Sequence, residues 1–277
     1  MTGGPVAAAA LPLVLAAALA AAAAGAARAD APLWELGLGA GALRLPHYRG
    51  AEQSHTWLLP VPYFVYRGPI LRADREGARA VLLERGGVEV DLSLAASAPT
   101  RSRDNRARDG MPDLAPTIEL GPVAQWRLGE GAGWKLELRA PLRAVATLEG
   151  RPRHIGWTAS PHLNLDLRWR GWDVGLLAGT LWGDRRLHGY FYDVAPAFAT
   201  AARPAYRARG GGAGSYLTLG ASRRIGDVWL GAFVRADRLD GAVFEASPLV
   251  RRRDNLAFGL AASWIFARSA AQVPEVD

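Results

Sequence analysis

The stretch "WKLELRAPLRAVA" (residues 134–146) sends Trp134, Leu136, Leu138, Ala140, Leu142, Ala144 and Ala146 to one side of an extended chain. Lys135, Glu137, Arg139, Pro141, Arg143 and Val145 go to the other side. Successive side chains of a strand point to opposite faces, whereas a helix would scatter these charges around its axis. The segment is therefore a strand with one apolar and one charged face. The apolar face lies against either a protein core or lipid, and the rest of the chain decides which.

The same alternation recurs at 88–96, 117–128 and 157–169. Further strands are expected at 33–43, 57–66, 172–183, 214–223, 228–238 and 256–266. Short connections at 67–69, 86–87, 129–133, 170–171 and 224–227 alternate with long ones at 44–55, 98–114, 148–156, 184–213 and 239–255. An up-and-down barrel needs an even number of strands, which forces a break near 75–78 and short strands at 70–75 and 79–85. The expected fold is all-β, a transmembrane antiparallel up-and-down β-barrel of about twelve strands, with ten as the alternative.

Alternation alone also fits a soluble sandwich or lipocalin, but four features favour lipid. Soluble strands most often run about 5–6 residues, and several here are twice that. From Trp157 to Trp169 the chain extends roughly 40 Å, or ~30 Å along the membrane normal at a tilt of about 40°, near the apolar band of a membrane barrel with its girdles. Trp126 and Trp134 flank one short connection and Trp169 and Trp172 another, while Trp157 and Trp182 sit at the opposite strand ends, all on apolar faces. Indoles at both rims form an interfacial belt. Short turns alternate with long polar loops, and the final strand, "LAFGLAASWIF" (256–266), has an aromatic-ended apolar face.

Composition adds bounds. The chain of 277 residues opens with an almost unbroken Ala/Leu/Val run and the tripeptide Ala27-Arg28-Ala29. That pattern reads as a signal peptide, residues 1–29, cleaved after Ala29. The barrel is then expected over 30–266, followed by a tail at 267–277. Cysteine is absent, so no disulfide or thiolate metal site is available. The formal charge is +7 and the pI about 10.3, a balance that can mark nucleic-acid binding. Export, and the placement of the charges along strands and in loops, exclude nucleic acid as a partner.

On the inner face, a hairpin symmetric about residue 131 would pair Glu119 with Arg143 and Gln125 with Glu137, and the turn at 170–171 would set Arg168 opposite Asp173. The lumen is expected to be braced by ion pairs of both signs. Ser160, His162, Asn164 and Asp166 share one strand face. Nucleophilic catalysis needs serine and histidine side chains in contact and a third group orienting the imidazole, but an alternating polar row is also what any lumen supplies. No catalytic, cofactor-binding or metal residues are assigned. His47, His55, His154 and His188 are scattered without ligand spacing. The basic loops "RSRDNRARD" (101–109), "RPRH" (151–154), "RR" (185–186) and "RRRD" (251–254) are solvated or contact lipopolysaccharide phosphates, which arginine grips bidentately. "RARGGGAGS" (207–215) reads as a flexible hinge.

With the strands laid out, the chain resembles the MipA/OmpV family of outer-membrane proteins. The stretches that carry the likeness are "LGAGALRLPHYRGAE" (38–52), "LLPVPYFVYR" (58–67), "GMPDLAPTIELGP" (110–122) and "FEASPLVRRRDNLAFGLAASWIF" (244–266). The resemblance implies a non-enzymatic outer-membrane protein of the Gram-negative envelope. It further implies a scaffold between a lytic murein transglycosylase and a bifunctional penicillin-binding protein, with adhesion or osmotic response as the roles of other members; a narrow diffusion channel is the rival reading from a transport class.

Overall fold

The computed structural model describes residues 30–67, 71–74, 77–85 and 88–274. The expected signal peptide at 1–29, the connections at 68–69 and 86–87, residues 75–76 of the expected break and the end of the tail at 275–277 lie outside the described residues. The strands are β1 (Asp30–Pro32), β2 (Trp34–Pro46), β3 (Ser54–Arg67), β4 (Leu71–Asp74), β5 (Gly77–Arg85), β6 (Val88–Ser97), β7 (Thr117–Gly131), β8 (Trp134–Thr147), β9 (His154–Ala159), β10 (His162–Trp169), β11 (Trp172–Gly183), β12 (Gly211–Ile225), β13 (Val228–Arg238), β14 (Asp254–Arg268) and β15 (Gln272–Pro274). Among the described residues one α-helix, α1 (Arg185–Tyr192), lies between β11 and β12.

Each strand from β2 to β8 pairs antiparallel with the next, as do those from β10 to β14; β14 pairs back to β2 and β8 pairs with β10. The sheet thus closes on itself. β9 and β10 both pair with β8 and β11 around a break at Ser160 and Pro161, so they form one stave. Counting them together, β2–β8, β9/β10 and β11–β14 make twelve staves among the described residues, the expected number.

Side chains divide as the alternation requires. Leu38, Leu120, Leu163, Leu217, Leu256 and Leu260 are exposed on the outer face, with Trp126, Trp169 and Trp264 near the short-turn end and Trp157 and Trp182 near the other. Such an apolar, aromatic-rimmed belt is what lipid requires. Arg170 (φ 50) and Gly171 (φ 77) make a tight two-residue turn whose two positive angles match the twist of a hairpin. Trp169 therefore faces Trp172, and Arg168 faces Asp173, as expected.

The β7–β8 hairpin corrects one expectation. Gly131 pairs with Trp134, a bulge falls between Arg127 and Gly129, and the register places Glu119 opposite Val145 and Gln125 opposite Arg139. The turn is two residues, Ala132 and Gly133 (φ 79), and not the five-residue connection from which a centre at 131 follows. Pairing is displaced by two residues. Arg143 is long enough to reach Glu119 diagonally at 3.8 Å, while Gln125 turns to Asp91 at 2.7 Å.

One further segment differs from expectation. The glycine run at 207–215 is not a free hinge: β12 begins at Gly211 and Ala208 is buried. Within the tail, β15 pairs with β1. Leu33 N donates to Ala271 O at 2.9 Å and Ser269 N to Trp34 O at 2.9 Å. The β14–β2 pairing thereby continues past the barrel base as a narrow ribbon.

Candidate functional site

The apolar core of the described residues lies not inside the barrel but across its long-loop end. Tyr48, Leu114, Tyr192, Leu239, Phe244 and Leu249 are its largest buried members and come from four loops spread around the ring. Tyr192 stacks on Phe244 at 3.7 Å between ring centroids. The Tyr48 hydroxyl donates to Leu249 O at 2.9 Å and that of Tyr192 to Arg49 O at 2.9 Å. Burial pushes the Tyr48 phenol up to about 12. Helix α1 starts on Asp184, whose side chain accepts from Leu187 N at 2.8 Å and so satisfies one of the orphan donors of the first turn. The 184–213 segment, expected as a long loop, thus folds over the mouth as part of a packed cap.

The basic loop at 101–109 splits accordingly. Arg101, Arg103 and Arg106 are exposed, as a solvated loop or a phosphate contact requires. Arg108 is only 3% exposed. It donates to the carbonyls of Phe191 and Pro112 at 3.0 Å each and to Ser102 Oγ at 3.3 Å, and its guanidinium lies 5.9 Å from the Tyr48 ring centroid. A buried charge is tolerable only when it is hydrogen-bonded in this way, and the side chain serves as a brace between loops. Arg203 acts similarly, donating to Ala107 O and Asp109 O.

Beneath the cap lies a lumenal cavity of about 660 Å³. The inner face of the barrel around it is cross-linked by pairs of both signs. Glu137 meets Arg139 at 2.7 Å and Lys135 at 3.5 Å, Asp237 meets Arg49 at 2.8 Å and Arg235 at 2.9 Å, and Arg168 lies 3.6 Å from Asp173. At the base Glu35, 0% exposed, is held by Arg224 at 2.5 Å, Arg67 at 3.5 Å and the Tyr63 hydroxyl at 3.3 Å.

The Ser160–Asp166 row faces this lumen without forming a relay. His162 Nδ1 lies 2.7 Å from the backbone carbonyl of Ser160, not from its hydroxyl, and Asn164 donates to Asp166 at 2.7 Å. The imidazole nitrogen that a third residue would orient is taken by the main chain next to it. Among the described residues no cluster of three or more His, Cys, Asp or Glu side chains could hold a metal ion.

A closed antiparallel barrel with an apolar outer belt, an ion-paired interior and a packed cap is an outer-membrane-type β-barrel protein. A family model described as "MltA-interacting protein MipA" matches residues 38–266, and the chain belongs to that family. No curated protein sequence matches it.

Proposed function

We propose that this chain is a non-enzymatic scaffold of the outer membrane, exported by a signal peptide cut after Ala29, that engages a lytic murein transglycosylase and with it a penicillin-binding protein on the periplasmic side. The observation that carries this reading is membership of a family described by its interaction with MltA. The geometry supports it. A mouth bridged by packed loops and a lumen braced by pairs of both signs suit a rigid platform better than a selective pore. The Ser160 row lacks the side-chain contact that nucleophilic catalysis needs.

At the short-turn end the surface within reach of a partner is small. It consists of tight turns and the β1–β15 ribbon. Among the described residues β15 pairs only with β1, and the outer edge of such a strand can take up an extended segment of a partner.

The test places the barrel, reconstituted in lipid and immobilised, in an envelope extract, and follows recovery of transglycosylase and synthase activity. Conductance of the same preparation is recorded in planar bilayers. The expected result is retention of both enzymes, weakened when residues 272–277 are removed, with no steady current. Steady ohmic channels and no captured murein enzyme would overturn the scaffold in favour of a channel.

A further inference from the structure

Several exposed arginines at the long-loop end are answered within the chain. Arg106 meets Glu52 at 3.0 Å, Arg185 meets Asp193 at 3.8 Å, Arg253 meets Glu245 at 2.6 Å, and Arg186 donates to His154 O at 2.8 Å. Arg151 and Arg153 differ. Both are exposed, and among the described residues neither guanidinium has a hydrogen-bond or ion-pair partner. Unlike Arg251 and Arg252, which are exposed on another loop, they line a cleft of about 510 Å³ between the 148–153 loop, the 108–115 segment and the end of α1.

The loop that carries them is held in place. Thr147 N donates to Arg153 O at 3.0 Å, Leu148 N to Pro116 O at 2.8 Å, and Arg153 N to Thr147 Oγ1 at 3.3 Å. Pro152 stands between the two arginines, and a residue before proline is pushed toward the extended conformation. First and third side chains of an extended tripeptide share one side, which brings both guanidiniums to the same cleft.

Other charges in the cleft are spent. Arg108 is the brace already described. Asp113 accepts from Ser102 N at 2.6 Å and Asp193 from Ala208 N at 2.6 Å. Glu149 is exposed and, among the described residues, has no partner. Arg108, Arg151 and Arg153 are balanced in the lining by Asp113, Glu149 and Asp193, so a bare anion gains little from the long-range field.

Two aromatic residues complete the wall. The Tyr190 hydroxyl accepts from Ala115 N at 2.8 Å and keeps its own proton to donate. Burial pushes that phenol up, the Ala115 amide, Arg108 and Arg153 pull it down, and Glu149 pushes it up. Arg153 and Glu149 therefore both lie near the hydroxyl. Phe198, half-buried, adds an apolar ring.

We infer that this cleft is a binding site for a phosphorylated sugar. Arg151 and Arg153 grip the phosphate through charge-assisted hydrogen bonds. The sugar hydroxyls meet Glu149 and the Tyr190 hydroxyl, and the ring lies against Phe198. Phosphate alone leaves Glu149 opposing it, and a neutral sugar leaves the arginines unanswered. The volume falls in the range of pockets that take one small ligand, about 300–1,000 Å³. Trp157, at the aromatic rim of the lipid-facing belt, follows Arg153 closely in the chain. The sugar phosphate at that height belongs either to a glycolipid of the outer leaflet or to a free sugar phosphate. The inference goes beyond the scaffold role and does not depend on it; only the glycolipid source rests on the outer-membrane reading.

The test uses the full chain in phospholipid vesicles and follows modification of individual arginines by phenylglyoxal, located by mass spectrometry. Arg251 and Arg252 serve as the reference. Glucose 1-phosphate should slow modification of Arg151 and Arg153 severalfold and leave the reference unchanged, while glucose and inorganic phosphate should protect much less. Glu149→Ala, at an exposed position, should narrow the difference between glucose 1-phosphate and inorganic phosphate. Equal protection by inorganic phosphate in the unaltered chain overturns the sugar, and equal protection of Arg251 and Arg252 overturns the site. Absence of protection by any probe also overturns it. Vesicles containing lipopolysaccharide with a phosphorylated core, compared with the same material dephosphorylated, identify the source. Protection by the phosphorylated form assigns the site to the glycolipid, and protection by the soluble sugar phosphate alone assigns it to a free ligand.

Discussion

His188 is the residue through which the cap is expected to respond to acid. Its ring packs 4.7 Å from Phe244, and Nδ1 lies 2.8 Å from Arg209 O. Burial holds its pKa below the usual histidine value; the Arg209 carbonyl and Asp184 oppose this, and Arg49 reinforces it. When the cap opens, the ring regains a pKa of about 6.5 and takes up a proton at lower pH. The folded cap binds fewer protons than the open one, so its stability is complete above that pH and falls as the solution becomes acid. His47, also lowered by burial and by His55, acts in the same direction. A spin label at Ala201→Cys, in a chain with no other cysteine, should gain mobility as pH is lowered from about 7 to about 5. His188→Gln should remove much of that response, and an unchanged profile would mean that the cap does not titrate through this ring. Nothing in "RSRDNRARD" distinguishes Arg108 from Arg106. The difference is made by Phe191 and Tyr48, which the chain brings to Arg108 from far away in sequence, and no local pattern encodes such a meeting.

Single strands were legible for the opposite reason. Alternation is a local property, and it located the staves within a few residues along the described chain, as β8 and β11 show most clearly. Register was less legible, because the bulge between Arg127 and Gly129 inserts a residue without breaking the pattern on either side. Inward glycines carry a second kind of information. On β2, a Cβ added to Gly39 would lie 1.8 Å from Ala262 O, whereas one on Gly175 of β11 would meet nothing closer than Asp166 Oδ1 at 3.6 Å. The β14–β2 seam therefore requires a bare backbone at Gly39. Gly39→Ala should destabilise the barrel by about 1–3 kcal/mol or more, as overpacking does. Gly175→Ala should be close to neutral. Denaturant titration in lipid vesicles compares them, and equal losses would mean that the seam is not the tight place.

At the scale of the whole molecule, two structures with different sources of stability share one chain. The wall is held by ladder hydrogen bonds and its lipid-facing belt, and the cap by a small apolar core built mainly from loop residues such as Tyr48, Tyr192, Phe244 and Leu249. These should come apart separately. In a urea titration, a fluorophore at Ala201→Cys should report cap opening at lower denaturant than the far-ultraviolet signal of the strands. Non-coincident transitions are the signature of such a departure from two-state behaviour. Superimposed curves would show that cap and wall are one cooperative unit.

The shared core has a consequence for how such a chain can diverge. In an ordinary barrel each surface loop is tethered only to its own two strands and tolerates insertions and deletions. Here Tyr48, Leu114, Tyr192 and Phe244 each come from a different loop and pack in one core. A change of length in any one of the four displaces a side chain that the other three need. Variation at this pole of the molecule is therefore collective, and room for independent change is left to the tips that stand clear of the core, such as Ala201 and Ala202.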